Sequence, residues 1–509
     1  MMKRTGARGW TEDELIERVH DSVFAGANAF YAGRYGGGLY DHLRELDLLT
    51  VTDARPNQHF GEYPEEWRAG KLEGWEGKQW VCPSIPEARA ALIKQWREDF
   101  AKRPKHDVMR FYSGDPGGCR DERCMPWGDT FIHLCDEIGR MWKEMQPESI
   151  VLVANQDLTN AGDQAIFDFL NTEPRDWLYG LCYSPGTNAM SDYFRDELRE
   201  DLFEYPRHGP TNRYLALTYH ALPPQQEIVH FSDITHWISA QYEVESPDRA
   251  LMKCYGRRTF HARPRAMYRI FQLIMPFSEG DIIYSEGHHD EFHQYLWARL
   301  LWDPSRALED VMEEYCRLYF GEDATPLMVE ALYQLEDNLE TSFAENKGVQ
   351  RYYDLVVEAG AKMPAHLMEN DYRWRLHMQK AVLDRYNQLK LQQEVEVQER
   401  VREALLAGIE SGRLLQAASA AQDALAGYRE TEAMAALREE AKRLGDESEA
   451  RFGVRNIGYS RIEDPIRDMK SLGDALQRIV DAQRSEREAL AHKAVEITER
   501  NIRLGIIFW

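Results

Sequence analysis

The chain has no long apolar run. No stretch approaches the eighteen or so apolar residues that a membrane-spanning helix needs, so no membrane partner is expected. Its start, MMKRTGARGWTEDEL, carries basic residues with no apolar segment behind them, and the chain reads as cytoplasmic. Cysteine is sparse. The seven cysteines are scattered and odd in number, which does not suit a disulfide framework. Cys119 and Cys124 stand close in GGCRDERC, but no second Cys or His pair follows at zinc-ribbon spacing, so no metal is expected there. Positive charge is also in short supply. There are 62 Lys and Arg against 86 Asp and Glu, a formal net charge of −24. Nucleic acid and anionic membranes are poor partners for such a chain, because phosphate binding needs clustered cations. No Gly-rich phosphate loop follows an early strand, and no cofactor is expected.

What is present is ample core material. Of 509 residues, 43% are hydrophobic and 29% charged, a globular composition with room for several domains. The thirteen Trp and twenty-five Tyr suit sugar stacking, although core filling accounts for most rings. Short runs rich in β-branched and aromatic residues recur through the first 300 residues: ANAFYAG (27–33), LLTVTDA (48–54), DVMRFYSG (107–114), SIVLVAN (149–155), WLYGLCYS (177–184), RYLALTY (213–219), EIVHFSD (227–233) and GDIIYSEG (280–287). Amphipathic helical patterns separate them, such as SIPEARAALIKQWREDFAK, which opens with Ser84 and Pro86. Repeated strand–helix alternation predicts parallel strands with crossover helices. About eight repeats predict a (β/α)8 TIM-type barrel over 1–304, with an open doubly wound sheet as the alternative. The first candidate strand follows a helix, so either an opening strand is missing or one of the eight runs is not a strand. From 305 to 509 Gly and Pro thin out and long amphipathic stretches predict an all-α helical domain.

In a barrel of this kind, working groups sit at the carboxyl ends of strands. That selects Asp115 in FYSGDPGGC, Asp233 and His236 in HFSDITHW, and Glu286 in YSEGHHDEF. Asp115 is expected to protonate a leaving oxygen or to cap its turn. Asp233 is expected to activate a water or to cap a helix starting at Ile234, with His236 one turn on. His288, His289 and Asp290 follow Glu286 on a polar loop that suits sugar binding. Adjacent histidines do not readily converge on one ion, so a metal is not expected. Asp290 also suits a helix cap. Arg34 in YAGRYGGG suits a carboxylate, and Tyr112, Tyr183 and His220 occupy further strand-end positions. Separate carboxylates at strand ends are what glycosidic cleavage requires. One protonates the leaving oxygen, and the other activates water or attacks the anomeric carbon.

The run YSEGHHDEFHQYLWARLLWDPSRALEDVMEEYCRLYFG, with Trp302, Asp303 and Pro304 at its aromatic turn, resembles the end of the catalytic barrel in α-glucuronidases and in related hexosaminidase-like barrels. ITHWISAQYEV resembles their base-bearing segment, with Asp233 the nearest acid. YSGDPGGC resembles their acid-bearing loop, with Asp115 where Glu is usual. The resemblance implies an exo-acting, inverting, dimeric glycoside hydrolase with a deep pocket for a terminal sugar, acidic sugars included. Its implied site is Asp115 as acid, Asp233 as base and Glu286 as a third carboxylate. Competing expectations are an exo-sialidase or N-acetylhexosaminidase on the same scaffold, and a carbohydrate-binding protein without catalysis.

Overall fold

The protein was analysed as a computed structural model, which describes residues 2–4, 12–70, 80–113, 118–156, 158–184, 213–238, 240–454, 462 and 464–499. Asp115 lies outside these residues. The chain divides into two compact units, 1–243 with 265–307 and 244–264 with 308–509.

The first unit is α/β. Its strands are β1 (Met2–Arg4), β2 (Ala29–Tyr31), β3 (Leu49–Ala54), β4 (Val108–Phe111), β5 (Ile150–Ala154), β6 (Gly180–Tyr183), β7 (Glu227–His230), β8 (Gly280–Asp281) and β9 (Ile283–Ser285). Every pairing is parallel, and the order is β8-β7-β6-β5-β4-β3-β2-β1-β9. Strands β8 and β9 are two halves of one run interrupted at Ile282. The first half pairs with β7 and the second with β1, so the sheet curls until 280–285 stands at both of its edges.

Two expectations are corrected. The run 213–219 is not a strand but part of a helix, and the opening strand lies ahead of the first helix at Met2–Arg4. An apolar run of seven residues fits either element by pattern alone, so only its place in the sheet decides.

The interior face of the sheet follows from the period of two. Ala29, Val51, Val108, Tyr112, Leu152, Ala154, Cys182, Phe231 and Ile282 pack into one cluster, joined by Tyr31, Val229 and Tyr284. Outside the sheet lie α1 (Glu12–Ala25), α2 (Gly38–Glu45), α3 (Pro86–Phe100), α4 (Trp127–Met145), α5 (Asn160–Leu170) and α6 (Arg213–Ala221). Phe30, with the opposite parity to Ala29 and Tyr31, packs with Val19 of α1 and Leu43 of α2. Helix α3 begins at Pro86, a favoured first helical residue whose missing N–H costs nothing there. Helix α5 is capped by Thr159, whose hydroxyl accepts from the Gly162 N–H at 3.1 Å.

The second unit begins with α7 (Arg249–Cys254); α8 (Pro264–Ile274) and α9 (Glu291–Trp302) belong almost wholly to the first. Then follow α10 (Leu308–Phe320), α11 (Thr325–Asp337), α12 (Lys347–Lys362), α13 (Ala365–Asn370), α14 (Arg373–Ser411), α15 (Leu414–Ala426), α16 (Glu432–Phe452), α17 (Met469–Asp481) and α18 (Arg487–Glu499). Helix α14, 39 residues long, is the spine. Its Val401 and Leu405 share a core with Ala418 and Ala421 of α15, Leu472, Leu476 and Ile479 of α17, and Ala491, Ala494 and Val495 of α18. The alanines let the helices come close. A Cβ on Gly408 would stand 2.2 Å from the Ala417 Cβ, so this crossing needs glycine.

Candidate functional site

Strands β2, β3 and β4 each turn one polar side chain into the curled sheet. Asp53 and Arg110 are register partners on β3 and β4. Arg110 grips the carboxylate in a fork, Nε to Oδ1 at 3.0 Å and Nη2 to Oδ2 at 3.3 Å. The Tyr31 hydroxyl donates to Asp53 Oδ1 at 2.6 Å. The Arg110 guanidinium is fully buried and lies 4.5 Å from the Phe231 ring centre and 4.7 Å from that of Tyr112. Burial alone would lower the Arg110 pKa. Asp53 together with Tyr31, Cys182 and Tyr112 outweighs it and holds the pKa above its ordinary value, so the pair is ionic. Burial, with Asp53 beside it, pushes the Tyr31 phenol well up, so it stays a neutral donor. Arg55, just beyond β3, donates from Nε to the Tyr112 hydroxyl at 2.6 Å and lies 5.6 Å from the Trp80 ring centre.

Across the sheet, the segments after β7 and β9 form a second group. Asp233 is in parallel register with Tyr284. No helix starts at Ile234, contrary to expectation; residues 234–238 are irregular. Asp233 instead closes a tight turn, its Oδ1 accepting from the Thr235 N–H at 3.2 Å and the His236 N–H at 3.3 Å. This turn brings the His236 ring back onto its own anchor. Nδ1 lies 2.9 Å from Asp233 Oδ2, and Nε2 on the other side lies 3.7 Å from Glu286 Oε1. The Tyr284 hydroxyl donates to Glu286 Oε1. Asp233 and His236 are buried, and the Glu286 side chain is 10% exposed.

The loop after β9 is pinned from beneath. Asp290 precedes α9 without capping it. It accepts instead from the Ser285 hydroxyl at 2.8 Å and the Glu286 N–H at 3.2 Å, and also from the Gln294 amide. Gly287 between them has φ 151°, a backbone conformation that favours glycine. His289 Nε2 meets the Thr235 hydroxyl at 2.8 Å, tying the two loops together. His288 beside it is buried.

The two groups are continuous. Phe231, stacked near Arg110, lies 5.7 Å from the Tyr284 ring, and Tyr284 lies 5.9 Å from His236. Of the residues singled out in the sequence, Asp233, His236, Glu286, His289 and Asp290 are therefore gathered on two adjoining loops. Tyr112 stands on the same interior face. Others stand elsewhere. Arg34 stacks on Phe60, 4.4 Å from its ring centre. Tyr183 has the opposite parity to the inward Cys182 and packs on His230 at 5.1 Å. His220 is exposed on α6, beside Tyr219. Tyr31, Asp53, Arg55, Arg110 and Tyr284 were not singled out. Their signal was an Asp and an Arg inside otherwise apolar strands, at positions of one parity.

Residues 262–332 match the family described as "Domain of unknown function (DUF4838)". No curated protein matches the chain. Among solved structures, a family 89 glycoside hydrolase from Clostridium perfringens in complex with PUGNAc superposes with a TM-score of 0.43 and 9% identity, over 91% of this chain and 57% of that one. A substituted form of the enzyme with GlcNAc-α-1,4-galactose gives 0.39 and 10%, over 97% and 61%. A family 138 enzyme targeting pectin rhamnogalacturonan II gives 0.36 and 8%, over 90% and 66%. The chain thus spans less than two thirds of the length of each of these structures.

Proposed function

We propose that the protein is an exo-acting glycoside hydrolase, built on a (β/α)8 barrel, that cleaves a terminal acidic sugar. The observation that carries this reading is the gathering of Asp233, His236 and Glu286 with Tyr284 at the carboxyl ends of two adjoining parts of a curled parallel sheet. The barrel reading rests on the segment 280–285, which pairs at both edges of that sheet.

In this scheme Glu286 is the carboxylate that meets substrate or its attacking water. Tyr284 donates to one of its oxygens and fixes the orientation of the carboxylate. His236 stands between Glu286 and Asp233, so Asp233 works as a positioning residue that orients the imidazole. Asp115, which follows β4 in the sequence, supplies the acid that protonates the leaving oxygen. The ionic Asp53–Arg110 pair braces the interior face of the sheet beside these groups. Arg55 favours an acidic sugar. It is half-buried, stacked on aromatic rings, and forms no ion pair with a carboxylate among the described residues.

A panel of aryl glycosides tests the reading: glucuronide, N-acetylglucosaminide, N-acetylneuraminide and galactoside. Release from an acidic member supports it. Silence across the panel, together with measurable sugar binding, overturns it in favour of a binding protein.

A further inference from the structure

Sequence spacing left Cys119 and Cys124 as a bare pair. The fold supplies a third thiol. Cys82 directly follows Trp80 and Val81, which bridge to Gln58 and Arg68, and is far along the chain from the other two. The ligating sulfurs of Cys82, Cys119 and Cys124 all lie within 4.8 Å of one another, and all three residues are buried.

The spacing between sulfurs is informative. Cys82 Sγ and Cys124 Sγ are 3.6 Å apart. A disulfide holds its sulfurs at about 2.05 Å. Thiolates on a tetrahedral zinc, each about 2.3 Å from the ion, stand about 3.8 Å apart. The pair therefore has the separation of two ligands on one ion.

The site is also built in advance. Asn57 Nδ2 donates to the carbonyl of Val81 at 3.3 Å and to that of Gly118 at 3.2 Å, clamping the Cys82 segment to the loop carrying Cys119. The Arg120 N–H donates to the Gly70 carbonyl, joining the same loops again. Asp121 accepts from the Arg123 N–H at 3.0 Å and shapes the single turn that ends on Cys124. The Ser84 hydroxyl lies 2.8 Å from Cys124 Sγ, where it can donate to a thiolate and hold the ligand in place.

We propose that Cys82, Cys119 and Cys124 bind one zinc ion as a three-thiolate site that locks these two loops together. Each thiol gives up its proton as its sulfur bonds to the ion, so three protons leave when zinc enters. The role is structural.

The experiment uses the full chain, stripped with chelator and titrated with Co²⁺, then with Zn²⁺. The expected result is an intense thiolate-to-cobalt charge-transfer band that saturates at one equivalent and is bleached by zinc. Cys82→Ser, Cys119→Ser and Cys124→Ser should each lose the band. Cys135→Ser, at a buried cysteine on α4, should keep it. If the serine variants fail to fold, the spectrum of the unaltered chain still decides. Each of these results overturns the proposal: no charge-transfer band in the unaltered chain, an unchanged band in Cys119→Ser, or a Cys82–Cys124 disulfide found by mass spectrometry. Zinc lost on gel filtration in metal-free buffer would mark an adventitious ion only and would overturn it equally.

Discussion

At the scale of single residues, polar groups that the sequence shows only as isolated letters become partners. Asp53 and Arg110 lie on separate strands, and nothing in one sequence sets the register that puts them side by side. Asp233, His236 and Glu286 were legible because each closes or follows a strand, where working groups collect. Their order was not. The imidazole intervenes between the carboxylates, and in the proposed scheme Asp233 orients it. Asp233→Asn tests that part. An amide still closes the turn, but it no longer offsets charge on the imidazole. Turnover should fall while the melting temperature holds; a melting temperature that falls in step with turnover would mean a purely structural role. Arg55→Ala should raise KM for an acidic glycoside by about tenfold or more, consistent with loss of a charge-assisted hydrogen bond, and leave a neutral glycoside unchanged. Equal effects on both would remove Arg55 from sugar recognition.

At the scale of elements, the strands were read well where they are short, β-branched and bounded by turns. The misreading of 213–219 came from an apolar run with no periodicity to separate helix from strand. The helical half was legible from its spacing, but its buried polar groups were not. His377 on α14 is fully enclosed, 4.8 Å from the Phe260 ring and 5.7 Å from that of Phe320, with Nδ1 2.9 Å from the Tyr352 hydroxyl. Burial pushes its pKa from 6.5 down to about 3. Between those values the unfolded chain binds a proton that the folded chain refuses. Stability from this group is therefore intact above about pH 6.5 and declines as pH falls, by about 1.4 kcal/mol per pH unit. His230 on β7, lowered to about 3 by burial, adds in the same direction. The melting temperature should drop between pH 7 and pH 5, and His377→Phe should show a shallower drop. An equally steep drop in the variant would contradict this assignment.

At the scale of the molecule, a change of pattern near residue 305 is visible in the sequence, but the return of 244–264 to the helical unit is not. That segment is short and irregular apart from α7, and its partners are distant in the sequence. The Asp248 N–H donates to the Leu339 carbonyl at 3.1 Å, and the Tyr255 hydroxyl donates to Asp384 at 2.6 Å. Tyr255→Phe leaves buried Asp384 with one donor fewer. It should cost about 1–3 kcal/mol of stability, read as a lower melting temperature, while turnover per folded molecule stays unchanged. A loss of turnover with normal stability would contradict the separation of roles between the two units.

The central claim is that Glu286 performs the chemistry of glycoside cleavage. Its most direct test is kcat of Glu286→Gln against the unaltered chain, on the aryl glycoside that the protein cleaves best. The expected result is a fall of about 10²–10⁴-fold with an unchanged melting temperature. Near-normal turnover in that variant would contradict it.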